Sequence, residues 1–216
     1  MEILYKYLTL DDPNVRYVAL SIVLLGGVSG AVGCFNFLQK KTLVGETVAH
    51  SMLPGVLVAF LLSGVKNPYV LITGAAISGW LSILLVDAIT NHSKIKNDSA
   101  LAIVLSSFFG FGIVLLTMIQ SRYLGNQSGL DHYIFGNAAA MSPEDSTAFA
   151  WVSILVVILV IAYYFNLKAV IFNPDYAQSI GINNKKVKGL ISFITILSIS
   201  VGIKAVGIVM MSALLI

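Results

Sequence analysis

The chain has 216 residues, 57% of them hydrophobic and only 11% charged, with a mean hydropathy of +0.90. A water-soluble domain carries about a quarter charged residues, so this composition excludes a soluble enzyme or binding module and demands lipid as the main solvent. The net charge of +3 forms no cationic stripe, which argues against nucleic acid as a partner, and a single cysteine, Cys34, leaves no intrachain disulfide to form.

In chain order, residues 1–17 mix both signs of charge and lack the basic-then-apolar order of a signal peptide. Targeting is therefore expected from the first membrane segment itself. Crossing a bilayer takes about 20 apolar residues in a helix, and the expected spans are 17–38, 43–63, 69–90, 99–119, 147–171 and 188–203, with a further apolar piece at 205–216. The apolar runs are continuous rather than alternating, which favours helices over the strands of a barrel. The predicted fold is all-α: one polytopic transmembrane bundle over 1–216, of six spans plus a partial seventh. Cys34, inside the first span, is expected to be a small buried residue.

The second span opens with "KKTLVGETVAHSMLPGVLVAFLL" (40–62), which puts Glu46 and His50 four residues apart inside an apolar helix. Each ionisable group in hydrocarbon costs roughly 2.5–3.5 kcal/mol on insertion scales. Residues i and i+4 share a helix face, so the carboxylate and the imidazole point the same way. If the helix starts near Thr42, His50 lies about 12 Å deep, near the middle of a core about 30 Å thick. One oxygen and one nitrogen make half a ligand set for a first-row divalent metal, and two such helices face to face would complete it. The plain alternatives are that Glu46 and His50 bind each other, or that Glu46 merely suits the helix dipole. Pro54 can open the helix backbone just beyond the pair.

Asp87, at the end of the third span, reads as an end-of-helix residue. His92 and His132 fall in polar loops, where histidines are usually solvated. Met210 and Met211 offer thioethers, but methionines in apolar helices mostly pack. Gly202 and Gly207 bracket Lys204, so the last apolar region is expected as two helical pieces with a break. The chain stops at "VGIVMMSALLI" inside an apolar run, which suggests a C-terminal truncation.

The loops give an orientation. Lys40, Lys41, Lys94, Lys96, Lys168, Lys185, Lys186 and Lys188 fall on one side, against Lys6, Arg16, Lys66 and Arg122 on the other, eight to four. The positive-inside rule places the lysine-rich loops in the cytoplasm and the N-terminus outside. No P-loop or other phosphate cradle is present, so any ATP must be bound by another chain.

The stretches "LVGETVAHSMLPGVLVAFLL", "KNDSALAIVLSSFFGFGIVLL", "LDHYIFGNAAAMSPED", "FNPDYAQSIGI" and "VGIVMMSALLI" follow one another as in a known family. The chain resembles the integral-membrane permease subunit of bacterial ABC importers for zinc, manganese or iron, over residues 30–216. That resemblance implies a multi-pass protein of the bacterial cytoplasmic membrane with no resident cofactor, whose cargo is a divalent transition metal. It implies that an acidic residue and a histidine four positions on, here Glu46 and His50, form a metal site near mid-membrane, contributed by two permeases. The family's usual acid at the first position is aspartate, so Glu46 is a departure that moves the carboxylate outward by one methylene. It further implies that Asn173, Pro174, Asp175, Tyr176, Ala177, Gln178, Ser179, Ile180 and Gly181 form the cytoplasmic segment that couples to a separate ATPase subunit. "LDHYIFGN" would then lie outside, where a metal-binding protein delivers its cargo. Family members normally continue beyond "ALLI" with further membrane helices.

Two other readings stay open on the residues alone. A secondary metal/proton carrier could use the same pair, since histidine titrates near neutral pH. An intramembrane enzyme could use His50 as a base, but no nucleophile or second motif stands beside it.

Overall fold

The computed structural model describes residues 13–39, 41–65, 67–121, 132–138 and 141–215. Among these every regular element is helical: α1 (Pro13–Leu38), α2 (Thr42–Ser63), α3 (Pro68–His92), α4 (Asn97–Ser121), the short α5 (His132–Phe135), α6 (Pro143–Phe172), the short α7 (Pro174–Ser179), α8 (Asn184–Val206) and α9 (Ile208–Leu214). The six long helices are each apolar and long enough to cross a membrane, as the sequence predicts.

Local chemistry sets their ends. Asn67 caps α3 by accepting from the Tyr69 amide at 3.0 Å, with Pro68 in the first turn, where its missing N–H costs nothing. Ser142 and Asp145 form a reciprocal capping box at the start of α6, again with proline in the first turn. Gly64 ends α2 in the left-handed conformation at φ 65°, which a residue with a Cβ adopts only under strain.

The helices pack with α2 and α8 at the centre: each has 61% of its apolar window buried, against 22% for α4 and α6. Met52, Leu53 and Leu57 of α2 and Ile196, Ile199 and Ile203 of α8 are fully enclosed in the main core. A buried Asn36–Thr195 hydrogen bond of 3.0 Å ties α1 to α8, satisfying two polar side chains that would otherwise be stranded in an apolar interface. At one end of the bundle, the starts of α1, α3 and α6 meet the end of α8: Ser21 Oγ donates to Ser146 Oγ at 3.0 Å, and Lys204 pairs with Asp145. At the other end, Phe35 of α1 and Leu167 and Val170 of α6 join Ala177 of α7 and Val187 of α8 in a separate apolar cluster.

The break in the last apolar region falls at Gly207 alone (φ 84°), not around both glycines that flank Lys204. Gly202 is helical, and a Cβ there would meet the Met211 side chain and, at 2.9 Å, Leu25, so it is glycine for packing. Gly207 crosses Gly136 backbone to backbone, and the Asn137 amide donates to the Lys204 carbonyl at 3.2 Å. From this crossing α9 turns back into the bundle until Leu215 rests against Gly33 and Gly45. A second correction concerns Cys34, which is exposed on α1 rather than buried. An all-apolar helix has no periodicity to separate its lipid face from its core face.

Candidate functional site

The backbone of α2 starts at Thr42, so Glu46 and His50 stand on successive turns of one face, both partly buried. They make no ion pair with each other; the Lys204–Asp145 ion pair lies elsewhere, between α8 and α6. The His50 ring meets Phe109 of α4 edge to face, with centroids 4.9 Å apart, which fixes the imidazole against a wall. Its Nδ1 is buried and has no protein partner. An imidazole nitrogen held in place without a hydrogen bond, one turn from a carboxylate, has the donor chemistry that a divalent cation could use.

Of the neighbouring hydroxyls, that of Ser51 is buried without a protein partner, while those of Thr47 and Ser78 are committed elsewhere. Thr47 Oγ1 donates to the Leu43 carbonyl of its own helix at 2.9 Å, and Ser78 Oγ of α3 donates to the Ser51 carbonyl at 2.5 Å. Among the described residues no three His, Cys, Asp or Glu side chains gather in one place. Within this chain, then, the pair offers one carboxylate and one imidazole, with no third such side chain gathered beside them among the described residues.

The face continues at the same spacing through Pro54, Val58 and Leu62. These three line an apolar groove of about 800 Å³ between α2, α3 and α4. The groove's Thr73 hydroxyl donates to the Val70 carbonyl at 2.8 Å and its Ser63 hydroxyl to the Val65 carbonyl at 3.1 Å. The ionisable side chains on this stripe thus stop at His50, and its continuation along the groove is apolar.

Other residues singled out by the sequence fall apart from this site. Asp87 is exposed at the end of α3. His92 caps that helix, its Nδ1 lying 2.9 Å from the Ala88 carbonyl oxygen. Met211 is fully buried packing and Met210 is exposed on the flank of α9. The His132 side chain, with Lys6, Lys40, Lys66 and Arg122, lies outside the described residues. Lys41, at the α1–α2 turn, has its ammonium pKa lowered by burial and by nearby Lys188, against an opposing effect of Asp87.

Residues 173–181 form a compact cap on the Lys41 end of the bundle. Asn173 ends α6 and starts α7, its Oδ1 accepting from the Tyr176 amide at 3.0 Å. Ala177 is the buried foot of α7, while Asp175, Tyr176, Gln178, Ser179 and Ile180 are exposed. Gly181 closes the turn at φ 85°.

The sequence missed the Asp145–Lys204 pair. Its signals were present separately, as a lone lysine in an apolar run and a "SPED" capping motif, but nothing local joins them.

The comparisons agree with this architecture. Residues 11–216 match the ABC 3 transport family. The manganese transport system membrane protein MntC of Bacillus subtilis is 39% identical over 210 residues, which is 97% of this chain and 48% of that protein. The zinc transport system membrane protein TroC of Treponema pallidum is 34% identical over 205 residues, 95% of this chain and 69% of that one. The chain thus spans about half the length of the first of these relatives. Among solved structures, PsaBC from Streptococcus pneumoniae in complex with Fab superposes with a TM-score of 0.86 at 26% identity, covering 99% of this chain and 74% of that one. Spans, helix order and sequence together place this chain in the ABC 3 transport family.

Proposed function

We propose that this chain is the membrane-spanning permease of an ATP-binding-cassette importer that carries a divalent transition metal, manganese, zinc or iron, into the cell. The observation that carries the reading is the Glu46–His50 pair, with a buried imidazole nitrogen that no protein group satisfies. Imidazole disfavours Mg²⁺ and Ca²⁺, which prefer oxygen shells, and suits Mn²⁺, Fe²⁺ and Zn²⁺. The relatives' names supply the cargo class: manganese for MntC and zinc for TroC.

Two ligands are half a site, so a second permease copy or a sister chain faces this one across the α2 stripe and adds its own pair. Holding the Glu46 carboxylate inside the hydrocarbon is costly when it is alone, and a bound cation offsets that cost. The permease does no covalent chemistry. Work comes from a cytoplasmic ATPase that docks on residues 173–181, whose exposed Tyr176 and Ile180 give it an apolar grip. Lys41, Lys94, Lys96, Lys168, Lys185, Lys186 and Lys188 flank the ends of the helices on this side, which the positive-inside rule makes cytoplasmic. The opposite end, around α5 and the start of α6, then faces the extracytoplasmic metal-binding protein, and the whole sits in the bacterial cytoplasmic membrane.

Uptake of radioactive Mn²⁺ and Zn²⁺ by cells carrying the whole transporter tests this. Glu46→Ala and His50→Ala are each expected to abolish uptake at matched membrane expression, with the ATPase subunit still associated. Uptake that persists in both variants overturns the site. Uptake that survives loss of the ATPase but stops when the proton gradient collapses overturns the transporter class.

A further inference from the structure

The first turn of α6 holds a carboxylate that solvent does not reach: Asp145 is 2% exposed. Its Oδ2 is fully engaged, accepting from the Ser142 amide at 2.8 Å, the Ser142 hydroxyl at 2.7 Å and Lys204 Nζ at 2.5 Å. Its Oδ1 is equally buried and has no donor from the protein. An ionised oxygen left dry in this way is expensive, and buried polar atoms almost always find a partner.

Beside it lies a cavity of about 10 Å³, the room that one water molecule needs. Its polar lining is Asp145, Lys204 and Ser200, and its other walls are apolar residues such as Leu71 and Phe149. Lys204 has two donors left after serving Oδ2. Ser200 Oγ donates to the Leu197 carbonyl at 2.9 Å, so toward the cavity it offers lone pairs. The occupant must therefore give one hydrogen to Asp145 Oδ1, give another to Ser200, and accept one from Lys204. A metal cation fails beside the ammonium, and an anion fails beside the carboxylate.

We propose that one water molecule is a built-in part of this protein here, bridging Asp145, Lys204 and Ser200 and closing a polar knot that holds the α8–α9 break in place. The knot draws in the surrounding chain. Ser146 accepts from Ser21 of α1, and the Lys204 carbonyl accepts from the Asn137 amide three residues before Gly207. Lys204 is thus a positioning residue for the turn into α9, and it does this whatever the protein carries.

Two measurements on the full chain in lipid nanodiscs test the proposal. A structure at a resolution that reveals ordered water is expected to have density within hydrogen-bond reach of all three side chains. Thermal melting of Ser200→Val and Ser200→Ala gives an independent sign. Both lose the hydroxyl, but valine also fills the cavity and dries Oδ1. With a resident water, Ser200→Val melts below Ser200→Ala; with a dry cavity, filling it raises the midpoint. Valine melting at or above alanine, or a cavity without density, overturns the proposal, and if Ser200→Val does not fold, the density alone decides.

Discussion

Gly55 and Gly74 meet where α2 crosses α3: a Cβ added to Gly74 would lie 2.6 Å from the Gly55 carbonyl oxygen and 2.5 Å from the Ala59 Cβ. The two backbones touch because neither residue has a side chain. One turn further along α3, Ser78 donates to the Ser51 carbonyl and fixes the register of the crossing. In lipid there is no water to expel from between helices, so close packing of this kind supplies much of the association energy.

Gly74→Ala is therefore expected to push the helices apart and to cost about 1–3 kcal/mol, the usual range for overpacking. A fall in the thermal midpoint of the purified protein measures it. Gly110→Ala is the matched control, since nothing lies within 4 Å of its would-be Cβ, and it is expected to leave the midpoint unchanged or slightly raised.

Lys204→Met removes the ammonium and leaves Asp145 charged, buried and short of a donor. Breaking a pair of this kind costs roughly 3 kcal/mol, at the low end of the buried range because the lysine side chain keeps 31% exposure. The double variant Lys204→Met/Asp145→Leu strands no charge and is expected to lose less, about 1 kcal/mol, from the broken capping box. Midpoints in the reverse order would mean that the pair contributes nothing.

The lowered pKa of Lys41 is readable by chemistry. Burial and Lys188 favour its neutral amine, and Asp87 opposes them. Lys188→Met is expected to raise the pKa and slow labelling of Lys41 by an amine-directed reagent at fixed pH, whereas Asp87→Asn speeds it. Peptide mass spectrometry gives both rates. The linked stability effect has a definite sign. The folded protein carries a penalty for the charged ammonium at neutral pH, and that penalty disappears as pH rises through the lowered value toward 10.5, where the unfolded lysine also loses its proton.

The spans were legible in the sequence to within about four residues, because continuous apolar runs bounded by Pro68, Pro143 and the Asn caps leave little choice. Glu46 and His50 were legible because charge in hydrocarbon is conspicuous. The position of the final break was not. Gly202 and Gly207 look alike as letters, and only packing separates them, one against Met211 and Leu25, the other across Gly136. The partner of Lys204 lies 59 positions away, beyond any local pattern. The exposure of Cys34 was hidden for a third reason: lipid and core are equally apolar, so hydropathy marks the helix but not its faces.

Pro54 sits one turn beyond His50 on the same stripe of α2, inside an otherwise unbroken helix. It has no amide hydrogen, so the His50 carbonyl lacks the donor that every other rung of the ladder receives from four residues ahead. Mechanically, α2 is two stiff rods joined by one compliant rung, and the imidazole is mounted at the joint. Because Glu46 and His50 both precede this rung, a bend at Pro54 would swing the half of the helix that carries Val58 and Leu62 and leave the carboxylate and the imidazole together on the other half.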